Sequence, residues 1–406
     1  MKRRRVLLAT TLALAIAGST GVAAAPAFAE EAAARGFVNV AHRGGCGYAP
    51  EMTDAAFSLL PQQNPDVTEV DVQLSADGVP VLMHDATLQR TTDVAQVFPS
   101  RATDPVNTFT LAELKQLDAG SWFHSRFAGE EVLTFDDVLD YVYPHGIGVF
   151  VELKAPADNP GVEQAISDVM DADPRWAEMV ADDLITFTSF DQTSLKRMTA
   201  LQPEPPLVWV NSTVPSNAVL AEAATWADEF GTHYRTLNGA TDIARIKATG
   251  MRVMLYTLNS PDVMQDGLDL GADTLITDFS GALSAVQAGT NPVPQANGIV
   301  VKSVVADPPG NDLQPETGEH VVLTNTTSER IWVSGYYLND AVINTLVVGS
   351  PYYIDPGAEL RVYTGPGTNT PTKYYNDLGR NVLNNNGDSL AVHTSWHALV
   401  DLYAYT

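Results

Sequence analysis

Short β-branched and apolar runs recur from residue 37 to about 285, separated by polar segments of helical length. The runs "VNVAH" (38–42), "VTEVDVQL" (67–74), "VPVLMH" (79–84), "IGVFVEL" (147–153) and "LITFTS" (184–189) read as strands. "LVWV" (207–210), "DEFGTHY" (228–234), "RVMLYTL" (252–258) and "TLITD" (274–278) continue the series. Helical segments such as "TLAELKQLD" and "TFDDVLDYVY" each open on a threonine suited to capping. Alternation of strand and helix over so long a stretch predicts a (β/α)8 barrel. The competing open, doubly wound sheet would show a G-x-G-x-x-G after a strand, and none is present.

One connection is too short for a helix. Only "SADG" separates Leu74 from Val79, and Asp77-Gly78 is a two-residue hairpin signal. "VPVLMH" is therefore expected to return antiparallel, leaving eight strands for the barrel. With Ala76 paired to Val79, Asp71 falls opposite His84, and Glu69 shares its face.

Beyond residue 285 the pattern changes. "AGTNPVPQANG" (288–298) reads as a linker, and residues 299–406 show short strands, glycine and proline turns and no helical period. This predicts an immunoglobulin-like β-sandwich behind a barrel at 37–287.

Residues 1–29 combine a basic head, an apolar stretch and Ala27-Phe28-Ala29, the pattern of a secretory signal peptide, so a secreted protein is expected. Four of the 23 basic residues and none of the 49 acidic ones precede Glu30, leaving 19 basic residues and a net charge of −30. Such a chain repels nucleic acid and anionic membranes, and no later apolar run is long enough to span a bilayer. The single cysteine, Cys46, allows no internal disulfide.

The chemistry concentrates at strand ends. Glu152 and Lys154 share one face of the fourth barrel strand, and Glu69 with Asp71 interrupt another apolar strand. Like charges near 4 Å repel by about 4 kcal/mol per pair at an effective dielectric of about 20, so three converging carboxylates need more than one lysine. An all-oxygen set selects Mg²⁺ or Ca²⁺. Such an ion with Arg43 and Lys154 makes a site for an anion, most naturally phosphate. His42 and His84 beside it supply general acid and base, which points to phosphodiester cleavage.

At these residues the chain resembles the glycerophosphodiester phosphodiesterase family of phospholipase-C-like barrels. "AHRGGCGYAPEMTDAAF" is similar to its opening motif, with His42, Arg43 and Glu51 in place. "EVDVQLSADGVPVLMHD" is similar to its second motif, and "VELK" supplies Glu152 and Lys154. Weaker likenesses follow in "LAELKQLDAGSWF", "TSF", "LYTLN" and "DTLITD". The resemblance implies hydrolysis of glycerophosphodiesters to glycerol 3-phosphate and an alcohol. It also implies Glu69, Asp71 and Glu152 as metal ligands, His42 and His84 as the acid–base pair, and Arg43 and Lys154 as phosphate holders. Two departures stand out: Met52 occupies a usual asparagine position, and Tyr256, a ring to pack against the alcohol, stands where tryptophan is common.

The region after 298 resembles the lamin-tail domain in "VVLTN", "SGYYL", "PGAELRVY" and "NNNGDSL". Its five basic and eleven acidic residues disfavour DNA, its aromatics suit packing better than a sugar platform, and no partner is legible. Asp278, closing the last strand, is expected to orient Arg43. Two other readings remain: a phospholipase-D-like or sphingomyelinase-D-like enzyme on whole lipids, and a phosphate-binding protein without catalysis.

Overall fold

The computed structural model describes residues 36–406, so the predicted export segment lies outside it. Nine strands form the first sheet: β1 (Val38–Ala41), β2 (Val67–Leu74), β3 (Pro80–Leu82), β4 (Gly148–Leu153) and β5 (Ile185–Ser189) come first. β6 (Leu207–Asn211), β7 (Glu229–His233), β8 (Arg252–Tyr256) and β9 (Thr274–Thr277) complete it. Eight are parallel and close into a barrel, since β1 pairs with both β2 and β9, while β3 lies outside, antiparallel to β2.

The longer helices cover the outside: α1 (Val162–Ala172), α2 (Pro174–Ala181), α3 (Gln192–Leu201), α4 (Asn217–Ala223), α5 (Gly239–Lys247), α6 (Pro261–Asp269) and α7 (Ser280–Gln287). Asp173 caps α2, which opens on Pro174, and Asp191 caps α3 through the amides of Thr193 and Ser194. The helices bury faces such as Ile166/Met170 and Leu195/Met198 against the strands. Strand alternation sends Val40, Phe150, Val208, Met254 and Ile276 into the barrel interior. Gly231 makes room there: a Cβ at this position would lie 2.3 Å from the Met254 methyl.

The expected hairpin forms one residue out of register. Ala76 joins Asp77 and Gly78 in a three-residue loop, closed by Ser75 and Val79 rather than by Ala76 and Val79. The Asp77 carboxylate accepts from the Ser75 hydroxyl at 2.7 Å and the Leu111 amide at 2.9 Å, which holds the wider turn. Asp71 consequently lies beside Met83, and His84 sits past the strand end, where the chain turns back to the barrel mouth. The segment opening at Thr110 has the capping box but runs only Leu111–Leu114.

The remaining strands run from β10 (Ile299–Val305) and β11 (His320–Asn325) through β12 (Ile331–Trp332), β13 (Tyr337–Asp340), β14 (Thr345–Val347) and β15 (Tyr353–Ile354). They end with β16 (Glu359–Tyr363), β17 (Lys373–Tyr375), β18 (Asp388–His393) and β19 (Leu399–Tyr405). Two four-stranded sheets, β10-β11-β16-β17 and β14-β13-β18-β19, enclose a separate core of Val321, Leu323, Leu338, Leu360 and Val392. Tyr336, Tyr337 and Tyr352 are buried, whereas Trp332 and Tyr353 form an exposed edge-to-face pair. Among the described residues, no helix is long and apolar enough to cross a membrane.

This sandwich packs on the barrel. Ala391 and Leu402 join the barrel's main apolar cluster, and β19 lies against α6. His393 and His397 stack at the junction, 5.0 Å apart, and burial pushes His393 down to about 3 and His397 down to about 4. The unfolded chain takes up protons at these imidazoles as pH falls below about 6.5, while the folded chain refuses them until about pH 4 at His397 and about pH 3 at His393. Stability is therefore expected to fall between pH 6.5 and pH 4, read as a declining melting temperature that His393→Phe makes less steep.

Candidate active site

Every candidate side chain gathers at the end of the barrel where the parallel strands finish. β2 and β4 lie in register with Asp71 beside Glu152 and Glu69 beside Phe150. The inner-face alternation that buries Phe150 deep in the barrel thus brings Glu152 to its mouth. His42 and Arg43 follow directly on β1 in a tight turn, and His84 enters from the loop after β3.

The three acids converge. One oxygen each from Glu69, Asp71 and Glu152 lies within 4.8 Å of the others. Lys154 Nζ sits 2.9 Å from Asp71 and 3.0 Å from Glu152, while Arg43 Nε is 3.3 Å from Asp71. The Arg43 amide donates to Glu69 at 2.9 Å. Two cations do not neutralise three buried carboxylates. Burial, then the charges of Asp71 and Glu152, push Glu69 well above the carboxylate range. Burial and Asp71 raise Glu152 as well, while Lys154, His84 and Arg43 overcome burial and hold Asp71 low. Both Asp71 oxygens are buried, one facing Lys154 Nζ and the other facing Arg43 Nε. An oxygen-only set with surplus negative charge fits a hard divalent cation.

Each histidine is held by a carboxylate. His42 Nδ1 lies 2.6 Å from Asp278, which also takes the Asn259 amide at 2.5 Å. His84 Nδ1 lies 2.7 Å from Asp85. Both rings are thereby oriented with Nε2 left for chemistry. Asp278, expected to orient Arg43, instead orients His42, because the turn at His42–Gly44 carries the imidazole back over β9. Asp278→Asn is expected to lower kcat by about 10²- to 10⁴-fold with KM little changed, measured by steady-state kinetics.

Arg90 and Asp85 were not assigned roles from the sequence. Arg90 forks onto Asp85 (2.6 and 3.0 Å) and onto Glu51 (3.0 and 2.7 Å), and Glu51 accepts from Arg43 at 3.2 Å. An unbroken line of charge therefore runs from Arg43 through Glu51 and Arg90 to His84. Glu51 is a buried carboxylate held low, despite its burial, by Arg43 and Arg90. The one local clue was adjacency, since Asp85 directly follows His84.

A cleft of about 630 Å³ opens beside this cluster, lined by Glu152, Lys154, Ala155, Ser189, Phe190 and Gln192. Phe190 is half exposed there and meets the Tyr256 ring edge-to-face at 6.3 Å. Burial, then Glu152, raises the Tyr256 phenol, so it stays protonated and acts as a neutral ring and hydroxyl.

Similarity to known proteins decides the family. The profile of the glycerophosphoryl diester phosphodiesterase family matches residues 42–282, well over half of the chain. The chain belongs to this family. A glycerophosphodiester phosphodiesterase of Bacillus subtilis is 30% identical over 264 residues, covering 62% of this chain and 87% of that protein. One from Caldanaerobacter subterraneus is 29% identical over 244 residues, covering 59% of this chain and 93% of its own. An Oleispira antarctica phosphodiesterase, solved in complex with the product sn-glycerol-3-phosphate, is 30% identical with a TM-score of 0.55. That likeness covers 61% of this chain and 96% of the other. The Lamin Tail Domain profile matches residues 292–406.

The departure at Met52 has a structural answer within this family. Its sulfur accepts from the Asp71 amide at 3.3 Å, so the thioether serves as the acceptor on that strand. Cys46 is buried and donates its thiol to Asp278 at 3.1 Å. Burial and Asp278 push that thiol well up, which rules it out as a nucleophile at neutral pH.

Proposed function

We propose that this chain hydrolyses glycerophosphodiesters to glycerol 3-phosphate and an alcohol, using His42 and His84 for proton transfer and one divalent ion. The observation that carries the reading is the convergence of Glu69, Asp71 and Glu152 with two carboxylate-oriented imidazoles at one barrel mouth. Support for the substrate class comes from the product held by the Oleispira phosphodiesterase. Ca²⁺ or Mg²⁺ bound by the three acids would offset charge on the phosphoryl oxygens. Arg43 and Lys154 bind the diester's phosphate as fork and point charge. Nε2 of one histidine takes a proton from the attacking water, whose oxygen bonds to phosphorus, and Nε2 of the other protonates the leaving alkoxide. Asp278 and Asp85 stabilise the imidazolium that forms in each case.

Tyr256 and Phe190 offer the alcohol an apolar wall. The export segment predicted at residues 1–29 supports a site of action outside the cell. The test is incubation of purified protein with glycerophosphocholine, with and without chelator, while glycerol 3-phosphate is assayed. Product in the first tube and none in the second is expected. Choline phosphate as the product, or turnover only of whole lipids, would replace this reading.

A further inference from the structure

The site is walled on one side by the second domain. The loop 43–52 carries Arg43 at one end and Met52 at the other, and these hold Glu69 and Asp71 through an amide and a thioether. In between, the Gly47 amide donates to the Asp278 carbonyl at 3.0 Å and Cys46 donates to the Asp278 carboxylate. The loop therefore touches two of the three acids and the partner of His42. It is also conformationally demanding, because Arg43 and Met52 both adopt positive φ (49° and 54°). On the barrel side, Tyr48 packs edge-to-face on Phe279 at 5.3 Å, and Ala49 lies in a small cluster with Ala56, Phe123 and Phe127.

The β-sandwich reaches the same loop from the other side. His397 Nε2 lies 3.0 Å from the Tyr48 carbonyl, which can only accept, so this nitrogen carries the proton. Nδ1 is then the acceptor, and the Tyr337 hydroxyl donates to it. The ring lies near-parallel to those of Tyr337 and His393, and Phe123 at 5.4 Å and Phe127 at 5.7 Å meet it edge-to-face. Ile343 of the sandwich packs into the small cluster that holds Ala49, Phe123 and Phe127. A narrow hollow close by is lined by Gly47, Asn259 and Asp278 from the barrel and by Asp340, Ala391 and His393 from the sandwich.

We propose that the β-sandwich is a working part of the catalytic centre, with His397 as a positioning residue that clamps the active-site loop through the Tyr48 carbonyl. This rests on the hydrolase reading for its kinetic consequence, but the clamp itself is a matter of loop order. Loss of the clamp lets the 43–52 loop relax from its positive-φ conformation. Arg43, Met52 and the Asp278 environment then shift together, and misplacement of catalytic groups on this scale lowers turnover more than binding.

The test uses the full chain with His397→Phe, which keeps an aromatic ring in the stack but donates nothing to Tyr48. His397→Gln restores a donor, and Tyr337→Phe removes only the hydroxyl behind Nδ1. Two readouts are taken: hydrogen–deuterium exchange of the segment 43–53, and kcat and KM on glycerophosphocholine. His397→Phe is expected to exchange faster in that segment alone and to lose about tenfold in kcat with KM within about twofold. His397→Gln should recover most of both, and Tyr337→Phe should fall between. Unchanged exchange and kcat in His397→Phe overturn the proposal, as does an equal loss in His397→Gln. If His397→Phe does not fold, Tyr337→Phe decides by the same two readouts. A wild-type chain that turns over no glycerophosphodiester sinks the hydrolase reading instead, and loop exchange alone then decides the clamp.

Discussion

Asp71→Asn is expected to cost about a thousandfold in turnover of glycerophosphocholine, equivalent to about 4 kcal/mol of transition-state stabilisation. The substitution is nearly isosteric, so the effect is one of charge. Asp71 stands in the middle of the cluster: it is the acid held low, and it meets both Lys154 and Arg43. Its amide counterpart leaves Glu69 and Glu152 as the only carboxylates and releases Lys154 and Arg43 from their shared partner. The cation-binding set then falls to two charged ligands, with two protein cations facing it. A melting curve accompanies the kinetics so that lost folding is told apart from lost chemistry. Turnover within tenfold of wild type in a folded variant would show that the acids are a structural ion-pair network.

The second large effect concerns the imidazoles. His42→Ala and His84→Ala should each lose about 10²- to 10⁴-fold on a choline or ethanolamine diester, whose leaving alkoxide needs a proton. A p-nitrophenyl diester leaves without one. The variant lacking the general acid should recover most of its rate on that substrate, and the variant lacking the base should not. This split assigns the two roles, which are alike in the structure because each ring is held at Nδ1 by a carboxylate. Losses as large on the p-nitrophenyl diester as on the choline diester in both variants, or full activity in His84→Ala, would contradict paired proton transfer.

What the sequence disclosed and what it withheld follow from the range of the forces involved. The strands are local: β-branched runs bounded by turns put every barrel strand within about two residues of its expected span. The acids followed from that, since alternation alone places Glu69 with Asp71 and Glu152 with Lys154. The hairpin register did not. Asp77 recruits the Leu111 amide, 34 residues onward, and so widens the turn by one residue. The short helix at Leu111–Leu114 has a similar cause. The Asp118 carboxylate gathers the amides of Gly120, Ser121 and Gly129, and turns the chain before a second helical turn forms. Arg90 stands on a loop without period, so its bridge from Glu51 to Asp85 is visible only once three segments are folded together. His397 is further from local rules still, because its partner Tyr48 belongs to the other domain.

The most direct measurement is calorimetric titration of Ca²⁺ and of Mg²⁺ into chelator-treated protein, run in parallel on Glu152→Gln. The account predicts one ion per wild-type chain, with hydrolysis returning in proportion to the ion added, and little or no binding heat in the variant. Hydrolysis at full rate before any ion is added, or an unaltered isotherm in Glu152→Gln, would contradict it.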